Sequence, residues 1–253
     1  MRPEIEAKFS HADHGAALEI TSMTSRLSAL ANAIREDLLH AEGVRKLSFP
    51  RRGATVFASG TPATQVYFLD SGLIKIERTT EANKDLLLGL IPAGEIFGEQ
   101  ALLGEAVYTV TATVMEAGIA YSIPTETFLR FCERRPEAWR MVVRYLLMRK
   151  DELERKVEHL CVSDVRQRIL YYLSELAKLS APADSAGFVI HISQNELASL
   201  VGATRETTST TLNALARQGL ISLGHRLVMV PSLETVIEAM NNSKLAKTAA
   251  PVN

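Results

Sequence analysis

The spacing of apolar residues changes at Pro124, and this change constrains the fold more than any other feature of the sequence. From Leu47 to Ile123, short β-branched or aromatic runs are separated by turns that contain glycine, whereas apolar residues after Pro124 recur at helical spacing. The turn glycines are Gly53, Gly60, Gly72, Gly94 and Gly98. Many short strands joined in this way predict a jelly-roll-like domain followed by helices, and therefore an α+β chain.

Length and composition set the number of domains that we expect. A chain of 253 residues is long enough for two modest domains, and 47% hydrophobic residues can supply a core for each. We expect a mobile extension at 1–24, a β-roll at 25–135, a long helix at 136–163, a smaller domain at 164–240 and a mobile tail at 241–253. Because 28 Lys and Arg residues balance 29 Asp and Glu residues, DNA binding must be argued from local sequence and not from net charge.

The sequence is typical of a protein that stays in the cytoplasm. Uncharged stretches such as 86–94 are much shorter than the roughly 20 apolar residues that span a bilayer, and acidic residues stand where a secretory signal has its apolar core. Cys132 and Cys161 lie outside any CxxC or Cys/His ligand spacing, which predicts neither a metal site nor a disulfide. We expect reduced, structural thiols and no membrane partner.

The segment after Pro136 predicts one long helix that reaches Leu160. Apolar residues step along it by four and three, the spacing of a seam between two helices. The seam residues are Trp139, Val143, Leu146, Lys150, Leu153, Val157 and Leu160. We predict a homodimer whose contacts include Val143, Leu146, Leu153, Val157 and Leu160; the alternative is a single helix that packs against the roll.

The C-terminal region predicts a helix-turn-helix. Ser193 and Glu196 have the spacing of a capping box, Gly202 ends that helix in a tight turn, and Thr204 can cap a second helix. The inward face of the second helix is Thr208, Leu212 and Leu215. The segment LISLGHRLVMV then predicts two short strands, which would form a wing.

The exposed start of the second helix is the candidate site for double-stranded DNA. A helix fits the major groove, where Arg205 can bond guanine and Glu206 can accept from cytosine. The other candidate contacts are Thr204, Ser209 and Thr210 near these two readers, and Arg217 and Arg226, which could touch phosphates. The alternative for Arg205 and Glu206 is an ordinary solvated ion pair, and each of the remaining residues could be ordinary surface.

Two segments carry a resemblance to a known family. PAGEIFGEQALL resembles the phosphate-binding cassette of a cyclic-nucleotide-binding β-roll, and VGATRETTSTTLNALARQGLI resembles the recognition helix of the cAMP receptor protein and Fnr (Crp/Fnr) superfamily of bacterial transcription regulators. The hallmark Arg-Glu-Thr stands at Arg205, Glu206 and Thr207. The resemblance implies a winged helix-turn-helix, a homodimer formed through the long helix and an inverted-repeat operator, with RNA polymerase as a further partner if the protein activates transcription.

The resemblance is weaker at the effector pocket. The candidate pocket residues are Gly98, Glu99, Tyr108, Thr109, Arg149, Leu153 and Glu154. In cAMP-binding members an arginine and a hydroxyl residue hold the phosphate, and here that pair aligns with Tyr108 and Thr109; residues 85–129 contain no Lys or Arg. Leu153 and Glu154 replace hydroxyl residues that contact adenine in the family. We therefore expect no response to cAMP. Two possibilities remain open: another effector held by Arg149 or Lys150, or DNA binding without an effector.

Other sensing chemistries and protein classes differ in the ligands that they require. Two cysteines are too few for an iron–sulfur cluster, whereas haem could use His11, His14, His40 or His159 as an axial ligand. Cys161 could act as a thiol switch, but we expect it to be a small residue packed near a hinge. A phosphate-binding GxxxxGK[ST] loop is absent, so we expect no enzyme. A ligand-binding module that acts on a protein partner is a further alternative.

Overall fold

The computed structural model describes residues 29–81, 85–179 and 187–248 and begins with a β-roll. Its strands are β1 (Arg45–Phe49), β2 (Thr55–Phe57), β3 (Gln65–Thr79), β4 (Asp85–Pro92), β5 (Ile96–Phe97) and β6 (Thr111–Pro124). They form an antiparallel sheet in the order β1-β6-β3-β4, with β2 paired to β6 and β5 paired to β3. Because β4 ends this order, one of its edges is available to the rest of the molecule.

The expected turn at Gly72 is a bend inside a long strand. The runs on either side of Gly72 belong to the single strand β3, and the residues on either side of Gly118 belong to β6. Gly72 has φ +92°, and a Cβ atom at Gly118 would lie 1.9 Å from the carbonyl oxygen of Ser71. Glycine therefore lets the two backbones approach and shift register without ending either strand. The expectation of separate short strands here was wrong.

Helices pack on the roll from both ends of its sequence. A helical turn at 29–33 continues as a π-helical segment, Ile34–Leu38, whose Ile34 and Leu38 are buried. Residues 25–28, where we expected the β-roll to begin, lie outside the described residues. After β6 come α1 (Thr125–Arg134) and α2 (Pro136–Val162), as the sequence predicted. Ala138, Val142 and Tyr145 are the buried residues of α2 and join the core of the roll.

The second domain arranges its helices and strands around a separate core. Its elements are α3 (Val165–Leu179), β7 (Phe188–Ile190), α4 (Gln194–Val201), α5 (Arg205–Arg217), β8 (Ser222–Gly224), β9 (Leu227–Val230) and α6 (Leu233–Thr248). The strand order is β7-β9-β8. Asp164 caps α3, since its Oδ1 accepts from the Gln167 N–H at 2.9 Å. The helix α6 continues to Thr248, past the expected domain end at 240 and into the expected tail.

The roll and the second domain share apolar contacts. Leu73, Leu87 and Met115 of the roll are buried together with residues of α3, α4 and α5. The described helices contain no segment long and apolar enough to cross a membrane. These contacts fix where the helix-turn-helix lies relative to the roll.

Candidate nucleic-acid interface and effector pocket

The first helix of the helix-turn-helix has the predicted capping box. The Ser193 hydroxyl accepts from the Glu196 N–H at 3.3 Å, and the Glu196 carboxylate accepts from the Ser193 N–H at 2.9 Å. Gly202 ends α4 with φ +63°. A Cβ atom there would lie 2.6 Å from Leu160 Cδ2, so glycine also allows the turn to approach the end of α2. The turn is thus held by the helix that precedes the domain.

The second helix presents its N-terminal end to solvent. Thr204 caps α5 by accepting from the Thr207 N–H at 3.2 Å. The buried face is Thr208, Leu212 and Leu215, as predicted. Arg205, Glu206 and Thr210 are exposed and Ser209 is half-buried. The helix therefore has the anchored inner face and open outer face that reading a DNA groove requires.

The wing lies beside the start of α5. In the β8–β9 hairpin, Gly224 pairs with Leu227, and Arg226 in the two-residue loop adopts φ +58°. Arg205 and Arg226 line one cleft of about 340 Å³ together with residues that precede and begin α4. Arg217 lies at the opposite end of α5, about 18 Å along the helix axis from Arg205. The structure thus brings two of the predicted arginines together and separates the third.

Tyr108, which the resemblance aligns with the phosphate-binding arginine of cAMP-binding proteins, is buried. The Tyr108 ring stacks on Phe57 with 4.0 Å between ring centroids, and its hydroxyl donates to the carbonyl oxygen of Gln65 at 2.5 Å. Tyr67 and Phe97 complete the aromatic cluster. Burial raises the pKa of Tyr108 well above its usual value, with Tyr67 adding to the effect, so the phenol is uncharged.

An arginine that the sequence analysis missed approaches Thr109. Arg78 Nη2 donates to Thr109 Oγ1 at 3.2 Å, and Gln100 binds the same residue at its Oγ1 and its N–H. Arg78 lies on β3, outside the 85–129 window that lacks Lys and Arg. Because Glu77 of β3 pairs with Thr111 of β6, the next residue, Arg78, lies close to Thr109. Pairing these two runs in the sequence would have predicted this contact. Gly98 adopts φ +72° and precedes Glu99 at the start of a 3₁₀ turn.

The pocket residues of α2 point in different directions. Arg149 Nη1 donates to the carbonyl oxygen of Leu90 at 3.1 Å and to Glu152 at 2.7 Å, and its guanidinium occupies the space that a side chain at Gly89 would need. Arg149 therefore bridges α2 to β4. Lys150 pairs with Glu154 on the exposed side of α2, and Leu153 is also exposed.

Glu95 is a buried carboxyl group beneath α2. It is 7% exposed, and its Oε2 has no hydrogen-bond partner within the described residues. Burial raises the pKa of Glu95 to about 7, although the Arg149 charge acts in the opposite direction. This group lies at the start of the segment that resembles the phosphate-binding cassette, and the sequence analysis did not single it out.

The cysteines and histidines differ in their surroundings. Cys132 is buried, whereas Cys161 is exposed in the single chain, where it does not pack as the small apolar residue that we expected. His159 Nδ1 lies 3.1 Å from Ser163 Oγ and its ring packs on Tyr171, whereas His40 is exposed. His11 and His14 lie outside the described residues. Within the described ranges, no group of three or more His, Cys, Asp or Glu residues could hold a metal ion.

The seam of α2 is open to solvent in the single chain. Every predicted contact residue retains between 39% and 59% of its exposure: Val143, Leu146, Leu153, Val157 and Leu160. Trp139 continues the stripe at one end. The face of α2 that meets the roll is a different one, so α2 packs on the roll while the seam residues stay exposed.

Both domains match known protein families. Residues 49–135 match the cyclic nucleotide-binding domain, and residues 167–238 match the Crp-like helix-turn-helix domain. A CRP-like cAMP-activated global transcriptional regulator from Mycobacterium tuberculosis is 30% identical over 193 residues, which cover 76% of this chain and 86% of that protein. The chain belongs to the Crp/Fnr superfamily.

Solved structures of Crp/Fnr proteins have the same architecture. A CRP-family transcriptional regulator from Thermus thermophilus superposes with a TM-score of 0.67 at 26% identity, covering 78% of this chain and 96% of that one. The c-di-GMP responsive global regulator CLP of Xanthomonas campestris superposes with a TM-score of 0.68 at 27% identity, covering 80% of this chain and 99% of that one. This Crp/Fnr protein is a DNA-binding transcription regulator, with a cyclic-nucleotide-binding-type roll and a helix-turn-helix as the sequence predicted.

Proposed function

We propose that the protein acts as a homodimer that reads an inverted-repeat operator through α5 and does not respond to cAMP. The observation that carries the proposal is the N-terminal end of α5, where Arg205 and Glu206 are exposed on a capped helix with a buried inner face. Arg205 would bond guanine O6 and N7, and Glu206 would accept from cytosine N4. Thr204, Ser209 and Thr210 surround these readers, and Arg226 and Arg217 would contact phosphates.

The open seam of α2 supports the homodimer. A stripe of exposed apolar residues, interrupted by Lys150, costs free energy in water, and pairing with a second copy of α2 would remove that cost. The two recognition helices of such a dimer would face half-sites about 34 Å apart, one turn of the DNA helix. Lys150 lies on the seam and pairs with Glu154 of its own helix, so its charge is compensated at that surface.

The aromatic cluster around Tyr108 supports independence from cAMP. A cyclic phosphate removed from water requires a cation, and Tyr108 brings an uncharged phenol to the position where cAMP-binding members have arginine. Leu153 and Glu154 provide no hydroxyl group for adenine. We therefore expect this protein to share the architecture of the cAMP-activated relative from M. tuberculosis but not its activation by cAMP.

Selection of bound duplexes from a random DNA pool tests the function directly. We expect recovery of one inverted repeat, equal enrichment with and without cAMP, and a dimer in sedimentation experiments. Recovery of no sequence would contradict operator reading, and a monomer at micromolar concentration would contradict the homodimer. Stoichiometric cAMP binding by calorimetry would contradict the third part of the proposal.

A further inference from the structure

The helix-turn-helix is joined to the roll by a polar cluster that belongs to neither domain alone. We call Arg52, Lys75, Glu196 and Ser199 the interdomain clasp. Arg52 lies in the turn between β1 and β2 and Lys75 lies on β3, whereas Glu196 and Ser199 lie on α4. The cluster therefore connects the sensor fold directly to the first helix of the DNA-binding motif.

One guanidinium makes most of the connection. Arg52 Nη2 donates to Glu196 Oε2 at 2.5 Å, and Nη1 donates to the carbonyl oxygens of His191 at 2.7 Å and Met115 at 3.2 Å. Lys75 Nζ lies 3.5 Å from the other oxygen of Glu196. The Arg52 and Glu196 side chains retain only 26% and 12% of their exposure. A partly buried, multiply bonded pair of this kind is screened by salt much less than an exposed one.

Glu196 has two roles at once. It completes the capping box of α4 and accepts from Arg52, so the same carboxylate orders the helix and ties it to the roll. Burial alone would raise the pKa of Glu196, but hydrogen bonds from Arg52 and Ser193 lower it to about 2. The carboxylate is therefore charged at any pH at which DNA binding is measured.

A second contact pairs α4 with the free edge of the sheet. Ser199 Oγ donates to the carbonyl oxygen of Asp85 at 2.8 Å and accepts from the Leu87 N–H at 2.9 Å. Both partners lie on β4, the strand at the end of the sheet order, whose edge groups need partners. The Leu87 side chain is buried among residues of the second domain. Polar and apolar contacts thus hold α4 at one place on the roll.

The clasp covers α4 and leaves the reading end of α5 open. Arg205, Glu206 and Thr210 are exposed while α4 is docked. We propose that the clasp holds the helix-turn-helix in an orientation that is ready for DNA, which makes Arg52 and Glu196 positioning residues for operator binding. Docking in advance lowers the ordering cost that a freely moving domain would meet on binding. The inference rests on the proposed reading of an operator.

The test measures affinity for the selected operator by fluorescence anisotropy in the full-length protein. Arg52→Ala should weaken binding about fivefold, a change of roughly 1 kcal/mol, while Arg51→Ala, the neighbouring exposed arginine, should bind as the wild type does. Arg52→Ala should also keep the wild-type slope of log affinity against log salt concentration, because it removes no phosphate contact. A slope lower by about 1 would mean that Arg52 touches DNA and would overturn the inference.

In Glu196→Gln, the change in charge and the loss of the clasp should affect DNA binding in opposite directions. Removing a negative charge from a DNA-binding domain should strengthen binding, whereas loss of the clasp should weaken it about as much as Arg52→Ala does. Glutamine is accepted at this position of a capping box, and thermal unfolding checks that the variant folds. The double variant should be no weaker than either single one. If Glu196→Gln does not fold, Arg52→Ala decides alone.

The outcomes separate this inference from the proposed function. Absence of operator binding by the wild type would contradict the function itself. A wild type that binds, with Arg52→Ala equal to Arg51→Ala or tighter than it, would overturn the clasp and leave the function intact.

Discussion

Arg205 and Tyr108 differ in their exposure to water. Arg205 is exposed beside the wing, where a guanidinium stays hydrated until a nucleic acid replaces the water. Tyr108 is sealed among aromatic rings and bonded to a backbone carbonyl. A change at Arg205 should therefore alter binding and not folding, and a change at Tyr108 should alter the core of the roll.

Arg205→Ala tests the reader at the residue scale. We expect it to cost about 1–3 kcal/mol of operator binding and to relax base preference at one position of each half-site. Arg217→Ala, at the far end of α5, should weaken binding to all sequences equally and lower the salt slope by about 1. Affinities for the operator and its single-base variants measure both effects. Unchanged base preference in Arg205→Ala would assign the reading to another residue.

Glu95 predicts a pH dependence of stability. Its pKa rises from 4.5 to about 7 on folding, so its contribution to stability is fully present below about pH 4.5 and is lost as pH rises through 7. Glu95→Gln should remove this loss, which we place on the order of 2 kcal/mol. Denaturant unfolding of both proteins at pH 5 and pH 8 is the measurement. If the free energies of unfolding of the two proteins changed with pH in parallel, the raised pKa of Glu95 would be contradicted.

The helix α2 has two faces, and each satisfies a different requirement at the scale of an element. One face buries Ala138, Val142 and Tyr145 against the roll, and the Tyr145 hydroxyl donates to the carbonyl oxygen of Ile96 at 2.5 Å. The other face exposes the apolar seam. The heptad spacing placed these apolar residues on one side of α2 because it depends only on helix geometry, but it could not tell which face meets the roll. That the exposed side pairs with a second copy stays a prediction.

Val157→Glu tests the seam. Paired carboxylates in an apolar interface repel each other and lose hydration, so we expect the dimer to dissociate at least about tenfold more readily. Glu158→Lys, a charge change one residue away from the seam, should leave association unchanged. Sedimentation equilibrium over a concentration series gives both constants. Equal dimer dissociation constants for Val157→Glu and Glu158→Lys would mean that the dimer interface does not include the seam.

At the scale of the whole molecule, Glu196 in the connection between the domains makes stability depend on pH in the opposite direction to Glu95. The pKa of Glu196 falls from 4.5 to about 2 on folding, so its contribution to stability is present above about pH 4.5 and is lost as pH falls toward 2. Wild type should exceed Glu196→Gln by on the order of 2 kcal/mol at pH 6, and the difference should shrink with acidification. Urea unfolding at pH 6, 4 and 3 measures it. A constant difference would mean that the carboxylate charge is not involved.

The sequence by itself determined the contacts that close within a few residues. Both capping motifs, the turn at Gly202 and the periodicity of α2 are local, so residue type and spacing were enough to predict them. The spacing of short strands, turn glycines and caps also predicted the roll and the winged helix-turn-helix, and family resemblance added their Crp/Fnr type. The merged strands β3 and β6 and the helical continuation to Thr248 escaped prediction, because glycine and polar residues are compatible with both outcomes.

Only the tertiary structure decided which distant residues meet. Arg52 and Glu196 are 144 positions apart, and Arg149 fills the space beside Gly89 from another element. Arg78 reaches Thr109 only because β3 and β6 pair in one register. A sequence lists charges without their partners, since chain folding sets the distances on which hydrogen bonds and burial depend. The cap and the buried face of α5 could therefore be predicted from the residues, but the way in which the helix-turn-helix is held against the roll could not.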